Sequence, residues 1–87
     1  MHRWVVILER KAEKQLKRLP KEIADILDGF KLDLAAEGPT PHGWTVKHVQ
    51  GQPGILAAKL KREYRVLYEV VSPSIIIIEV VHRKDAY

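Results

Sequence analysis

From Glu9 onward the spacing of apolar residues changes once, across the segment Gly38–Gly43 (Gly-Pro-Thr-Pro-His-Gly), which is a loop by composition. Before it the period is helical. Ala12, Leu16 and Leu19 recur at i, i+4 and i+7 with charges between them, which predicts a helix over Glu9–Leu19. Pro20 is disfavoured inside a helix but suits a first turn, so a second helix starts near Pro20. Ile23, Ile26, Leu27, Phe30 and Leu34 lie on one face of it, and Gly38 stops it as a left-handed cap. The two helices form a helical hairpin. Ahead of it, Arg3–Leu8 is short, β-branched and apolar, and reads as a mostly buried first strand.

After the loop the period is two. Trp44–Val49, Ile55–Lys61, Tyr64–Val71 and Ile75–Val81 read as four strands, with turns at Gly51–Gly54 and Ser72–Ser74. Ile75–Ile78 is an aggregation-prone apolar run, which a buried central strand would protect. The expected fold is α+β in the order β-α-α-β-β-β-β. An N-terminal helical hairpin packs on one face of an antiparallel-rich sheet, in a single domain over residues 1–87. The hairpin covers one face, which leaves the other open.

Size and composition narrow the function. With 87 residues the core is thin, and 46% apolar with 30% charged residues fits a folded domain rather than a disordered tail. The absence of Cys removes disulfides, thiol nucleophiles and Cys-based zinc sites. No apolar run approaches a membrane span, and Met1–Leu8 is too short for a signal peptide. The chain is therefore expected to be complete, cytoplasmic and mildly basic, with a net charge of +4. Arg10, Lys11, Lys14, Lys17 and Arg18 outnumber Glu9 and Glu13, and the segment from Trp44 onward is basic too. An acidic stretch, Leu19–Glu37, separates them. Two basic segments are compatible with a polyanion partner or simply with solubility.

Alternation assigns side chains to the open face. Leu56, Ala58 and Leu60 belong inside, with Ala57, Lys59 and Lys61 outside; Val66, Tyr68 and Val70 belong inside, with Arg65, Leu67 and Glu69 outside. A two-residue loop at Arg62–Glu63 would bury Arg65 unpaired. An odd-length or bulged turn, pairing Lys61 with Arg65, is therefore expected. Lys59, Lys61 and Arg65 then converge on one patch. In the last strand an outward Glu79 carries Ile75, Ile77, Val81 and Arg83 to its side, with Lys84 and Tyr87 following. Such cations and an aromatic ring on an open sheet suit phosphates and bases; they equally suit a solvated face with Arg65–Glu69 or Lys61–Glu63 pairs. His42 and His48 have no carboxylate or Cys at metal-ligand spacing, so no metal is expected.

The segment Lys59-Leu60-Lys61-Arg62-Glu63-Tyr64-Arg65-Val66-Leu67-Tyr68-Glu69-Val70 resembles the signature of RelE/ParE-superfamily toxins of type II toxin–antitoxin pairs. The ending His82-Arg83-Lys84-Asp85-Ala86-Tyr87 resembles the tail of the RelE-like branch. Glu9–Ala12 with Leu16–Pro20 is similar to the family's first helix, and the Gly51 turn after Val49 to a recurrent family feature. The resemblance implies the same helical hairpin on an antiparallel sheet. It also implies a ribosome-dependent mRNA endoribonuclease (an mRNA interferase) that uses no metal and no cofactor. The RNA 2′-hydroxyl attacks the adjacent phosphate and the 5′-oxygen leaves, which inhibits translation.

By that resemblance Lys59 and Arg65 fall on the catalytic lysine and arginine, Arg83 on a second arginine and Tyr87 on the terminal tyrosine. Arg65 would stabilise the phosphate, Arg83 the leaving-group side, and Tyr87 would orient or stack on the substrate. Lys61, Lys84 and His82 would contact RNA. The base is left open among Lys59, His82 and Tyr87, because Ala57 stands where RelE carries a further lysine and Gln50 where the family has a basic residue. Two alternatives accompany this reading: a ParE-like DNA gyrase inhibitor, and a catalytically inactive antitoxin-binding homologue. The implied partners are mRNA, the ribosome and a cognate antitoxin in a hetero-oligomer, its acidic segment lying over the basic site. No membrane partner is implied.

Overall fold

In a computed structural model that describes residues 3–84, the elements follow the expected order. They are β1 (Val5–Leu8), α1 (Arg10–Leu16), α2 (Lys21–Glu37), β2 (Val46–His48), β3 (Ile55–Leu60), β4 (Tyr64–Val71) and β5 (Ser74–His82). The strands form one sheet in the order β1-β5-β4-β3-β2. β2 to β5 make the antiparallel meander, while β1 lies parallel to β5 and makes the sheet mixed.

The helices bury Ala12, Ile23, Leu27, Phe30 and Leu34 against Leu56, Ala58, Leu60, Val66, Tyr68, Ile75, Ile77 and Val80. Each helical position recurs at three- or four-residue intervals from Ile23 to Leu34, and the first two strand sets alternate, as a two-layer core requires. Aromatic rings close the end near β2. Phe30 meets Trp44 edge-on at 4.7 Å and Tyr68 at 5.5 Å. The Trp44 indole N–H donates to Asp33 Oδ2 at 2.8 Å, and the Tyr68 hydroxyl donates to the Pro39 carbonyl. Burial pushes the Tyr68 phenol well above its ordinary pKa.

Gly38 ends α2, its N–H bonded to the Leu34 carbonyl at 2.9 Å. Its φ of 96° and extended ψ of −164° differ from a left-handed helical cap. The Trp4 ring packs so closely that a Cβ here would stand 2.9 Å from Trp4 Nε1. α1 is shorter than expected. Leu16 is its last residue, and Lys17–Leu19 form a turn in which the N–H groups of Arg18 and Leu19 both bond to the Gln15 carbonyl. Leu19 still packs on the core.

Three further expectations are corrected. β1 is an edge strand rather than a mostly buried one: Val5 and Ile7 are 52% and 44% exposed, while Val6 and Leu8 pack on the core. In β5, Ile75 and Ile77 do not share the outer face with Glu79 and Val81. A bulge takes up Ile78 between the pairs Leu67–Glu79 and Tyr68–Ile77. Beyond it parity reverses, so Ile75 and Ile77 are wholly buried. Because residues 75–78 are all isoleucine, either register buries two of them, and the bulge decides which two.

The third correction concerns the β3–β4 turn. It is odd in length, but its three residues are Lys61, Arg62 and Glu63, so Arg65 pairs with Lys59 and not with Lys61. Lys61 sits in the loop itself with φ of 58°.

Candidate functional site

The face of the sheet away from the helices carries a shallow groove of about 360 Å³ lined by Thr45, Lys47, Ala57, Lys59 and Arg65. Register explains the grouping. Lys47 stands opposite Ala57 across β2 and β3, and Lys59 opposite Arg65 across β3 and β4. Ala57, though only 6% exposed, faces this side and forms the floor. Thr45 is joined by its carbonyl to the Lys59 N–H at 3.0 Å.

The β3–β4 turn holds the arginines. Arg65 Nη1 donates to the carbonyls of Arg62 at 3.2 Å and Tyr64 at 3.0 Å, which leaves Nε and Nη2 without a protein acceptor among the described residues. The Arg83 N–H donates to the Glu63 carbonyl, so the chain after β5 is tied to the same turn. Val81, two residues before Arg83, pairs with Arg65. The Arg65 side chain and the Arg83 backbone are thus both bonded to carbonyls of one short turn.

The other expected residues are placed apart from the groove. Lys61 pairs with Glu22 at the start of α2, on the helix side, and so does not converge with Lys59 and Arg65. It lines a separate cleft of about 490 Å³ with Pro20, Ile23 and Tyr64. His82 pairs with Tyr64 in register and meets its ring edge-on at 5.1 Å. Both His82 nitrogens are engaged: Nδ1 accepts from the Lys84 N–H at 3.2 Å, and Nε2 stands 3.5 Å from Glu63 Oε2. Lys84 is exposed just past β5. Tyr87 lies outside the described residues.

Lys47 and Thr45 were missed in the sequence. β2 is three residues long and two of them are exposed, so its alternation carries little signal about which face is which. Only the cross-strand register with Ala57 places Lys47 at the groove. Among the acids on this face, Glu79 is held by Lys11 at 2.7 Å. Among the described residues no group of three or more His, Cys, Asp or Glu could hold a metal ion. No described helix is long and apolar enough to cross a membrane.

The fold has close structural counterparts. The toxin–antitoxin complex RelE–RelB from Pyrococcus horikoshii contains a chain matching with a TM-score of 0.80 at 26% identity, over 99% of this chain and 100% of that one. In the RelBE2 toxin–antitoxin complex from Mycobacterium tuberculosis the values are 0.74 and 25%, over 93% and 99%. The RelB–RelE complex from Methanococcus jannaschii gives 0.82 at 21%, over 93% and 94%, a likeness of fold. No curated protein sequence matches this one closely enough to count as a relative. A family model described as the ParE toxin of the type II toxin–antitoxin system parDE matches residues 6–87. The helical hairpin on a mixed sheet and a match running along nearly all of the sequence lead to one conclusion: this chain belongs to the ParE toxin family, within the RelE/ParE superfamily of type II toxin–antitoxin toxins.

Proposed function

We propose that this toxin is a ribosome-dependent mRNA endoribonuclease. The observation that carries the reading is the cationic groove on the uncovered sheet face, with Lys59 and Arg65 paired across β3 and β4. Cleavage by a 2′-hydroxyl needs positive charge where the phosphorane develops, a base for the hydroxyl, and help for the departing 5′-oxygen. Arg65, fixed through Nη1, presents its remaining donors to the phosphorane. Lys59 adds charge beside it or acts as the base. Arg83, tied to the same turn, serves the leaving-group side. Tyr87 orients the substrate or acts as the base. His82, whose two nitrogens are already engaged, and Lys84 act at the margin as RNA contacts, and Lys61 contacts RNA outside the groove. The partner is a cognate antitoxin with an acidic segment over Lys47, Lys59 and Arg65. The similar chains from Pyrococcus horikoshii and Mycobacterium tuberculosis are in toxin–antitoxin complexes.

The test is an in vitro translation reaction with a defined mRNA, followed by mapping of new 5′ ends. The expected result is cleavage in the ribosomal A site by the native chain. Arg65→Ala should lower the rate about 10²-fold or more, the scale of losing a transition-state donor, and Arg65→Ala with Arg83→Ala should abolish it. Intact mRNA would sink the proposal. The matched family model is of the ParE toxin, and that favours a second reading, inhibition of DNA gyrase. A supercoiling assay with purified gyrase distinguishes it.

A further inference from the structure

Lys47 has no counterpart among the residues that the proposed reaction uses, yet it lines the same groove. It stands directly opposite Ala57, and so lies on the diagonal from Lys59 on the next strand. Diagonal neighbours on a sheet face are about 7–8 Å apart, comparable with the separation of successive phosphates in an extended single strand. The methyl group of Ala57 leaves the column above it open, so the Lys47 stem has room to lie across the floor. Neither Lys47 nor Lys59 makes an ion pair among the described residues. Among the described residues no carboxylate lines the groove. Of the two acids that share the face, Glu79 is engaged by Lys11, and Glu69 stands between Ile55 and Ile76, outside the groove lining. Three cations from three adjacent strands therefore face one another with no carboxylate of the described residues between them, an arrangement that repels until an anion occupies it.

We infer that Lys47 is a phosphate ligand of this site. It holds the phosphate next to the one taken by Lys59 and Arg65, so that a single-stranded RNA crosses β3 towards β2, with Thr45 within reach of the same backbone. This rests on the reading of the groove as a phosphodiester site and adds to it a direction for the strand.

The probe is a short single-stranded oligoribonucleotide, 2′-O-methylated so that it cannot be cut, whose binding to the full chain is followed by fluorescence anisotropy across a salt series. Lys47→Gln should weaken binding and reduce the salt slope by about one. Lys47→Arg should keep both. Moving the ammonium across the strand pair, with Lys47→Gln and Ala57→Lys together, should restore the slope. Lys47 is exposed on an edge strand, so each Lys47 single variant should keep the native melting curve. A Lys47→Gln chain that binds like the native one, an arginine variant as weak as the glutamine one, or a native chain that does not bind the oligonucleotide would each overturn the inference. The translation assay is run beside it. If the native chain leaves mRNA intact while the slope changes as expected, the endoribonuclease reading falls and the phosphate ligand stands. If mRNA is cut and Lys47→Gln behaves as native in both assays, the ligand falls alone.

Discussion

At Gly38 two demands meet in one residue. The backbone has φ of 96°, which a side chain resists, and the Trp4 indole occupies the place of a Cβ. Gly38→Ala should therefore destabilise the fold by about 1–3 kcal/mol, read as a lower urea midpoint with an unchanged slope. The same substitution at Gly29, where a Cβ would meet nothing within 4 Å and the residue is inside α2, should be neutral or stabilising. The sequence marked Gly38 as a helix stop because Gly-Pro ends the helical period. It carried no sign of Trp4, which is 34 positions away and is held at the site by its N–H bond to the Ala35 carbonyl and by the pairing of β1 with the last strand.

Among the elements, the hairpin β3–β4 was legible and β5 was not. For β3–β4 the alternation left one arrangement that kept Arg65 out of the core, and this fixed the parity of the turn though not its position. Two three-residue loops satisfy the same parity, and the choice between them depends on Lys61 accepting positive φ and reaching Glu22 on α2. In β5 every residue from Ile75 to Ile78 is an isoleucine, so the pattern has no phase. Glu79 supplied the phase, and the bulge at Ile78 reversed it. Substitution can read the register directly. Ile77→Ala should cost about 2–5 kcal/mol, as for a fully buried aliphatic side chain. Ile76→Ala, on the open face beside Ile7, should cost clearly less. Thermal melts of the two variants check the ordering, and equal losses would contradict the bulged register.

Across the whole molecule, Tyr68 joins the two layers. Its ring packs on Phe30 of α2, and its hydroxyl bonds the carbonyl of Pro39 just past the helix. Because burial raises the pKa of this phenol in the folded state, the folded chain keeps a proton that the unfolded chain releases. That contribution is fully present below the unfolded value of about 10 and is lost as pH rises above it. Denaturation curves should therefore show native stability falling from about pH 10 upward. Tyr68→Phe should be less stable at pH 7 by about 0.5–1.5 kcal/mol, and the gap to native should narrow as the medium becomes alkaline. A gap that stays constant with pH would show that the phenol keeps no proton on folding.

The parallel pairing of β1 with β5 also sets an order of events during synthesis. Every other strand contact in the sheet lies between neighbours in the chain, whereas Val5–Leu8 must wait for Ser74–Ile77. A nascent chain that stops short of residue 74 has no partner for its first strand, and its helices lack Ile75, Ile77 and Val80 to pack on. Arg83, whose N–H bonds the Glu63 carbonyl, is made later still. The sheet can therefore close only once its final strand has been made, which ties completion of the fold to the end of synthesis.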